Sequence, residues 1–267
     1  MGLLSKVASV AGKVVSGVGG DRGRKVVHQA RSFRDKVRGE AEPDEESGPL
    51  PWPASVAPGW DRGHDLLSNQ WPTGATTLLN RWVQVGKEIE AQWSPVVGSA
   101  STELSARWVA DGETFVIAWR SAGADVASAW EEALGAPDAV AAEGILDGSI
   151  QSGWRHIREA WIPVRLGVKD SIQSAGKAAG LDAATVKAAQ AEVEAVWSVT
   201  ETELSDRFLD GGGYLVSLVR EVADGQSHPA ELLDTIQQML AQQDSTWTQS
   251  MDGFSAAWKA AAEAVNE

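Results

Sequence analysis

Tryptophan recurs every eleven residues along much of this chain, and that spacing constrains the fold more than any other feature of the sequence. Trp60, Trp71, Trp82 and Trp93 are each 11 apart, as are Trp108, Trp119 and Trp130, and again Trp247 and Trp258. Six of the twelve gaps between consecutive tryptophans equal 11. Three turns of α-helix take up about 10.8 residues, so rings at this spacing share one helix face. An eleven-residue period favours straight or slightly right-handed packing over the left-handed heptad coil.

The wider apolar stripe has the same period. Leu78, Trp82, Val85, Ile89, Trp93, Val96, Ala100 and Leu104 step by three and four, and Phe115, Trp119, Ala122, Val126 and Trp130 continue the stripe. The spacing predicts a long helical region over 73–134, kinked near Pro95, which lacks an amide donor and crowds the preceding turn. Gly135 and Pro137 end it. Three more helices are predicted over 138–179, 182–223 and 229–265. Gly180 and Gly225 stand at helix ends, and Pro229 suits a first helical turn. No period-two pattern competes. The expected fold is all-α: long amphipathic helices in an elongated antiparallel bundle with an internal helical repeat, preceded by a basic amphipathic arm.

The repeat is legible in two blocks. Glu88-Ile89-Glu90-Ala91-Gln92-Trp93-Ser94 returns as Glu192-Val193-Glu194-Ala195-Val196-Trp197-Ser198. Thr102-Glu103-Leu104-Ser105-Ala106-Arg107-Trp108 returns as Thr202-Glu203-Leu204-Ser205-Asp206-Arg207-Phe208, with four fewer residues between the blocks. Trp93 and Trp197 are expected at equivalent positions, as are Trp108 and Phe208. Duplicated helical units argue for architecture rather than chemistry. Asp-Gly pairs at 111–112, 147–148, 210–211 and 252–253 fall inside these helices; they are expected to bend or break them, the alternative being to let a neighbouring backbone approach.

Charge divides the chain. Residues 1–40 hold nine Lys/Arg against three acids, a net +6, and the remainder holds 14 against 34, a net −20. An acidic body is not expected to bind nucleic acid. The arm repeats Leu3, Leu4, Val7, Val10 and Val14 at helical spacing, with Lys6 and Lys13 between them, and Arg22, Arg24 and Lys25 open a second basic stretch. Its mix of Gly, Leu, Val, Ser and Lys resembles short cationic membrane-active peptides. These ten residues are the candidate binding face for an anionic membrane, an apolar granule surface or a neighbouring copy. Residues 41–60 read as an acidic, then proline-rich linker before a body over 61–267.

No motif for catalysis stands out. His28, His64, His156 and His228 form no metal-ligand spacing beyond the half-motif His156 and Glu159, and Gly17-Val18-Gly19-Gly20 lacks the context of a nucleotide loop. The chain has no cysteine, so thiolate metal sites and disulfides are out. No catalytic residue, metal or cofactor is expected, and the chain is expected not to be an enzyme.

Aromatics at helical spacing usually form a bundle core, but 13 Trp against 4 Phe and 1 Tyr keeps an interface in view, since indole favours apolar–polar boundaries. Trp82, Trp93, Trp108, Trp119, Trp130, Trp197, Trp247 and Trp258 are the candidate stripe. In general character the chain looks like phasin-type granule coats, which implies a structural, self-associating protein, cytoplasmic or peripheral to an intracellular surface. A virion or shell component gripping neighbours through the arm, and a helical pore-former, are the alternatives.

Overall fold

The computed structural model describes residues 52–266; the arm, with its ten candidate residues, and His28 lie outside them. By contacts, the chain divides into Met1–Gly48 and Pro49–Glu267, and every described residue belongs to the second unit. The described residues form five helices and no strand: α1 (Ala57–Val97), α2 (Ala100–Leu134), α3 (Ala139–Ala178), α4 (Ala183–Ala223) and α5 (Ala230–Asn266). The all-α expectation holds.

The last three helices begin and end where the sequence predicts. Asp138 and Asp182 cap α3 and α4, their carboxylates accepting from the amides of Ala141 and of Ala184 and Thr185, which satisfies donors left free in the first turn. Gly180 and Gly225 take positive φ just beyond α3 and α4, where glycine escapes the Cβ penalty.

The first predicted helix is wrong in a physically informative way. Residues 73–134 are not one kinked helix but parts of two that fold back on each other, because Gly98 adopts φ 59° and turns the chain within two residues. Pro95 lies inside α1 rather than dividing the stripe, and so does Pro72. Both prolines are on the solvent side, where water can bond the carbonyls they leave free. α1 also starts at Ala57, well before residue 73, and takes up the last residues assigned to the linker.

Each helix packs chiefly against two others, α1–α2, α2–α3, α3–α4, α4–α5 and α5–α1, so the five close into a ring, with a minor contact between α1 and α3. The four loop-connected pairs run antiparallel. An odd number of helices leaves the closing pair parallel: Gly63 meets Ile236 and, farther along both helices, Arg81 meets Asp252 and Trp93 meets Trp258. The stripes of all five helices face the interior as one continuous core.

The Asp-Gly pairs do not break helices. All four lie within unbroken helical segments. Gly112 instead makes room for a side chain, since a Cβ there would lie 2.3 Å from the Trp82 ring.

The repeat is used asymmetrically. Its first copy straddles the α1–α2 hairpin, whereas its second lies wholly within α4. The four extra residues of the first copy thus supply the turn. Trp93 and Trp197 are both buried, but Trp93 meets Trp258 near the end of α1 whereas Trp197 meets Trp82, Trp108, Trp161 and Phe254. Trp108 and Phe208 differ likewise: Phe208 contacts Trp71, Trp119 and Trp154, none of which touches Trp108. The expected equivalence fails because one copy is bent and the other straight.

Candidate functional site

The eight candidate stripe tryptophans are all interior, each no more than 3% exposed. The core reading is therefore the one the described residues support, and in this state the stripe presents no ring to a surface.

Its geometry explains the eleven-residue spacing. On antiparallel α1 and α2, moving 11 residues up one helix and 11 down the other brings successive tryptophans face to face, about 16 Å apart along the axis. Trp60 stacks on Trp130 with centroids 4.1 Å apart, and Trp82 on Trp108 at 4.9 Å. Trp71 meets Trp119 at 5.4 Å. In the two stacked pairs the indoles exchange hydrogen bonds with the opposite backbone. Trp60 Nε1 donates to the Trp130 carbonyl at 2.8 Å and Trp130 Nε1 to the Trp60 carbonyl at 2.9 Å; Trp82 and Trp108 do the same at 2.8 and 2.9 Å. Trp71 donates to the Trp119 carbonyl at 3.0 Å. Such close approach needs glycine on the facing helix: Gly112 lies under Trp82 and Gly123 under Trp71. The Trp-x-x-x-Gly spacing of Trp108-Gly112 and Trp119-Gly123 is the sequence signal that goes with it. Trp52 closes one end, donating to the Ala136 carbonyl at 2.9 Å.

The other side of the core is different. The indole N–H groups of Trp161, Trp197, Trp247 and Trp258, on α3, α4 and α5, have no acceptor among the described residues, and neither does the Gln243 amide nitrogen. Their rings meet mostly edge to face, Trp161 with Trp197 at 4.3 Å and Trp119 with Trp247 at 5.2 Å. That arrangement suits the ring quadrupole but leaves polar N–H groups buried at a cost of about 1–3 kcal/mol each.

The surface holds little that resembles a reaction centre among the described residues. Among the described residues no cluster of His, Asp and Glu could hold a metal. His156 faces Asp125 on α2 at 3.8 Å, His64 lies against Ser68 and Glu131, and the His228 ring accepts from the Ala230 amide at the start of α5. Asp111 is buried between α2 and α3; desolvation raises its pKa, opposed by the hydrogen bond and charge of Arg107, whose Nε donates to it at 2.9 Å. Partial desolvation also raises Glu203 and Asp244. Glu194 holds Arg165 more firmly protonated through a side-chain hydrogen bond across α3 and α4.

The groove along the α1–α5 contact, about 320 Å³, is lined by Arg81, Gln84, Glu88, Asp252, Ser255 and Lys259 among others. Arg81 pairs with Asp252 at 3.3 Å and Ser255 donates to Glu88. Exposed large apolar side chains, Ile117, Val140, Ile162, Leu166, Val199 and Tyr214, are scattered over α2, α3 and α4. No described helix is long and apolar enough to cross a membrane.

The fold thus defines a class, a closed five-helix bundle with a tryptophan core. Comparison with protein-family models, curated proteins and solved structures finds no match to the chain.

Proposed function

We propose that this chain is a non-enzymatic structural protein that attaches to an anionic lipid-covered surface through residues 1–40 and self-associates there, peripheral to an intracellular surface. The observation that carries the reading is the division of charge, +6 over residues 1–40 against −20 over the remainder, taken with the burial of the tryptophan stripe. With the rings turned inward, the surface-active role that they and the arm shared in the sequence falls first to the arm: Leu3, Leu4, Val7, Val10 and Val14 for insertion, and Lys6, Lys13, Arg22, Arg24 and Lys25 for head groups. The acidic remainder disfavours flat adsorption of the closed body, whose rings are turned inward, on an anionic surface, and its net −20 attracts the +6 arms of neighbouring copies.

Co-sedimentation with phosphatidylglycerol-containing vesicles, alongside mass measurement in solution, tests this. Full-length protein is expected to pellet and a chain lacking residues 1–40 to stay in the supernatant with its helicity intact. Salt should weaken the attachment. Equal pelleting of both forms would move attachment to the body, and failure of the full chain to pellet would refute the reading.

A further inference from the structure

The ring has five helix–helix contacts but only four loops. Gly98-Ser99, 135–138, 179–182 and 224–229 tie neighbours together through short connections, whereas α1 and α5 meet with no covalent link between them. Every other contact can separate only as far as its loop allows. The α1–α5 contact can part completely, leaving a row of four antiparallel hairpin contacts.

Two observations on this seam and one on the core behind it point the same way. Along residues 81–88 of α1 its outer edge carries the polar pairs Arg81–Asp252 and Glu88–Ser255, beside Val85, Met251 and Ala256. A single indole bond, Trp93 Nε1 to the Trp258 carbonyl at 3.1 Å, crosses it, against five across α1 and α2. The buried indole N–H groups without acceptors, those of Trp161, Trp197, Trp247 and Trp258, are on α3, α4 and α5. In the closed ring those donors are unsatisfied; at the boundary between acyl chains and head groups an indole has both an apolar bed and acceptors.

We infer that the bundle is a latch: on a lipid surface the α1–α5 seam opens, the α1–α2 pair stays together, and the tryptophan core is turned onto the lipid. This rests on the arm-mediated attachment proposed above, which brings the body to the surface. The closed ring keeps the same rings out of water before that encounter, and the lipid must bind the open form better by more than the cost of parting α1 from α5.

The chain has no cysteine, so paired substitutions give clean disulfide locks. Gly74→Cys with Asp244→Cys spans the seam, where a Cβ on Gly74 would lie 3.4 Å from the Asp244 carboxyl carbon. Ala122→Cys with Gly153→Cys spans α2 and α3, with a Cβ–Cβ distance of 3.4 Å, close to disulfide geometry. Each full-length variant, oxidised and reduced, is mixed with vesicles of phosphatidylglycerol and brominated phosphatidylcholine; pelleting reports attachment and tryptophan quenching reports opening. The reduced forms must match the wild-type circular dichroism spectrum. The expected result is loss of quenching, with pelleting retained, only in the oxidised seam variant. Quenching of the oxidised seam variant equal to that of its reduced form overturns the inference. So does loss of quenching in the oxidised α2–α3 variant, which would place the opening elsewhere. Pelleting of wild-type protein without quenching overturns the latch alone, whereas absence of pelleting removes the attachment as well.

Discussion

Replacing Gly112 with alanine tests whether tryptophan stacking sets the distance between α1 and α2. Two effects oppose each other. Alanine in a helix interior is favoured over glycine by about 1 kcal/mol. Against this, the new Cβ would lie 2.3 Å from Trp82 Cδ1 and 2.5 Å from Cγ and Nε1, where ordinary contact begins at 3.4 Å. The ring has to retreat by about 1 Å. It has nowhere to go, being fully buried, stacked on Trp108 and bonded through Nε1 to the Trp108 carbonyl. Overpacking of this kind costs about 1–3 kcal/mol and occasionally more. Because the clash meets a rigid ring at three atoms, the upper part of that range applies, leaving a net loss of about 2 kcal/mol. For a body of this size that lowers Tm by about 4–8 °C. Gly148→Ala is the internal control: it lies inside α3 with nothing within 4 Å of the added carbon, so only the helix preference acts and Tm should rise by about 2–4 °C. Thermal melts followed by circular dichroism at 222 nm, with urea midpoints as a second measure, separate the two. If Gly112→Ala is as stable as Gly148→Ala, the facing ring does not require glycine and stacking does not explain the spacing.

Three further outcomes are expected from the same geometry. Trp93→Phe removes a bonded indole N–H and Trp197→Phe an unbonded one, so the first should cost about 1 kcal/mol more in urea unfolding; equal costs would contradict the hydrogen-bond assignment. Burial holds the Asp111 pKa above the ordinary aspartate range, so the folded state binds that proton more tightly than the unfolded state. Its contribution to stability therefore falls as pH rises through that range to the raised value. Urea midpoints for Asp111→Asn should lack this component, and identical pH profiles would refute it. Asp182 has the opposite sign: hydrogen bonds from the Thr185 amide and hydroxyl lower its pKa, so its stabilisation is present above the ordinary range and is lost as pH falls through the lowered value. The gap between wild type and Asp182→Ala should narrow on acidification, and a gap constant with pH would exclude a charged cap.

The features legible in the sequence are those set by local chemistry. Asp138, Asp182, Gly180, Gly225 and Pro229 each mark a helix boundary through their own backbone preferences, and α3 to α5 start and stop there. The hairpin between α1 and α2 was hidden because apolar stepping continues through it: Trp93, Val97, Ser101 and Leu104 are all buried although the chain reverses at Gly98. Periodicity reports which face is apolar, not which way the helix runs. Pro95 is the obvious breaker in the sequence, yet a proline on the solvent side of a long helix is tolerated, and the glycine three residues later makes the turn. The tryptophan ladder was visible as a spacing but not as a pairing, since the register of two antiparallel helices is fixed by a loop whose position the stripe conceals. The repeat conceals its asymmetry for a related reason, as matching blocks do not disclose that only one copy contains a turn. The interior position of the candidate stripe needed the ring closure, a property of five helices together.

Five is an odd number, and this has a consequence for reach. In an even ring of alternating helices the chain leaves beside the point where it started. Here Trp52 and Asn266 are at opposite ends of the closed body, separated by about the length of the 37-residue α5, roughly 55 Å at 1.5 Å per residue. Whatever holds the N-terminal side therefore projects the C-terminal side a full helix length away, so the closed body is a ruler with two distinguishable tips. A fluorophore attached after Asn266 would report the height of a standing layer directly, because a closed body held upright by its Trp52 end carries Asn266 at the other end.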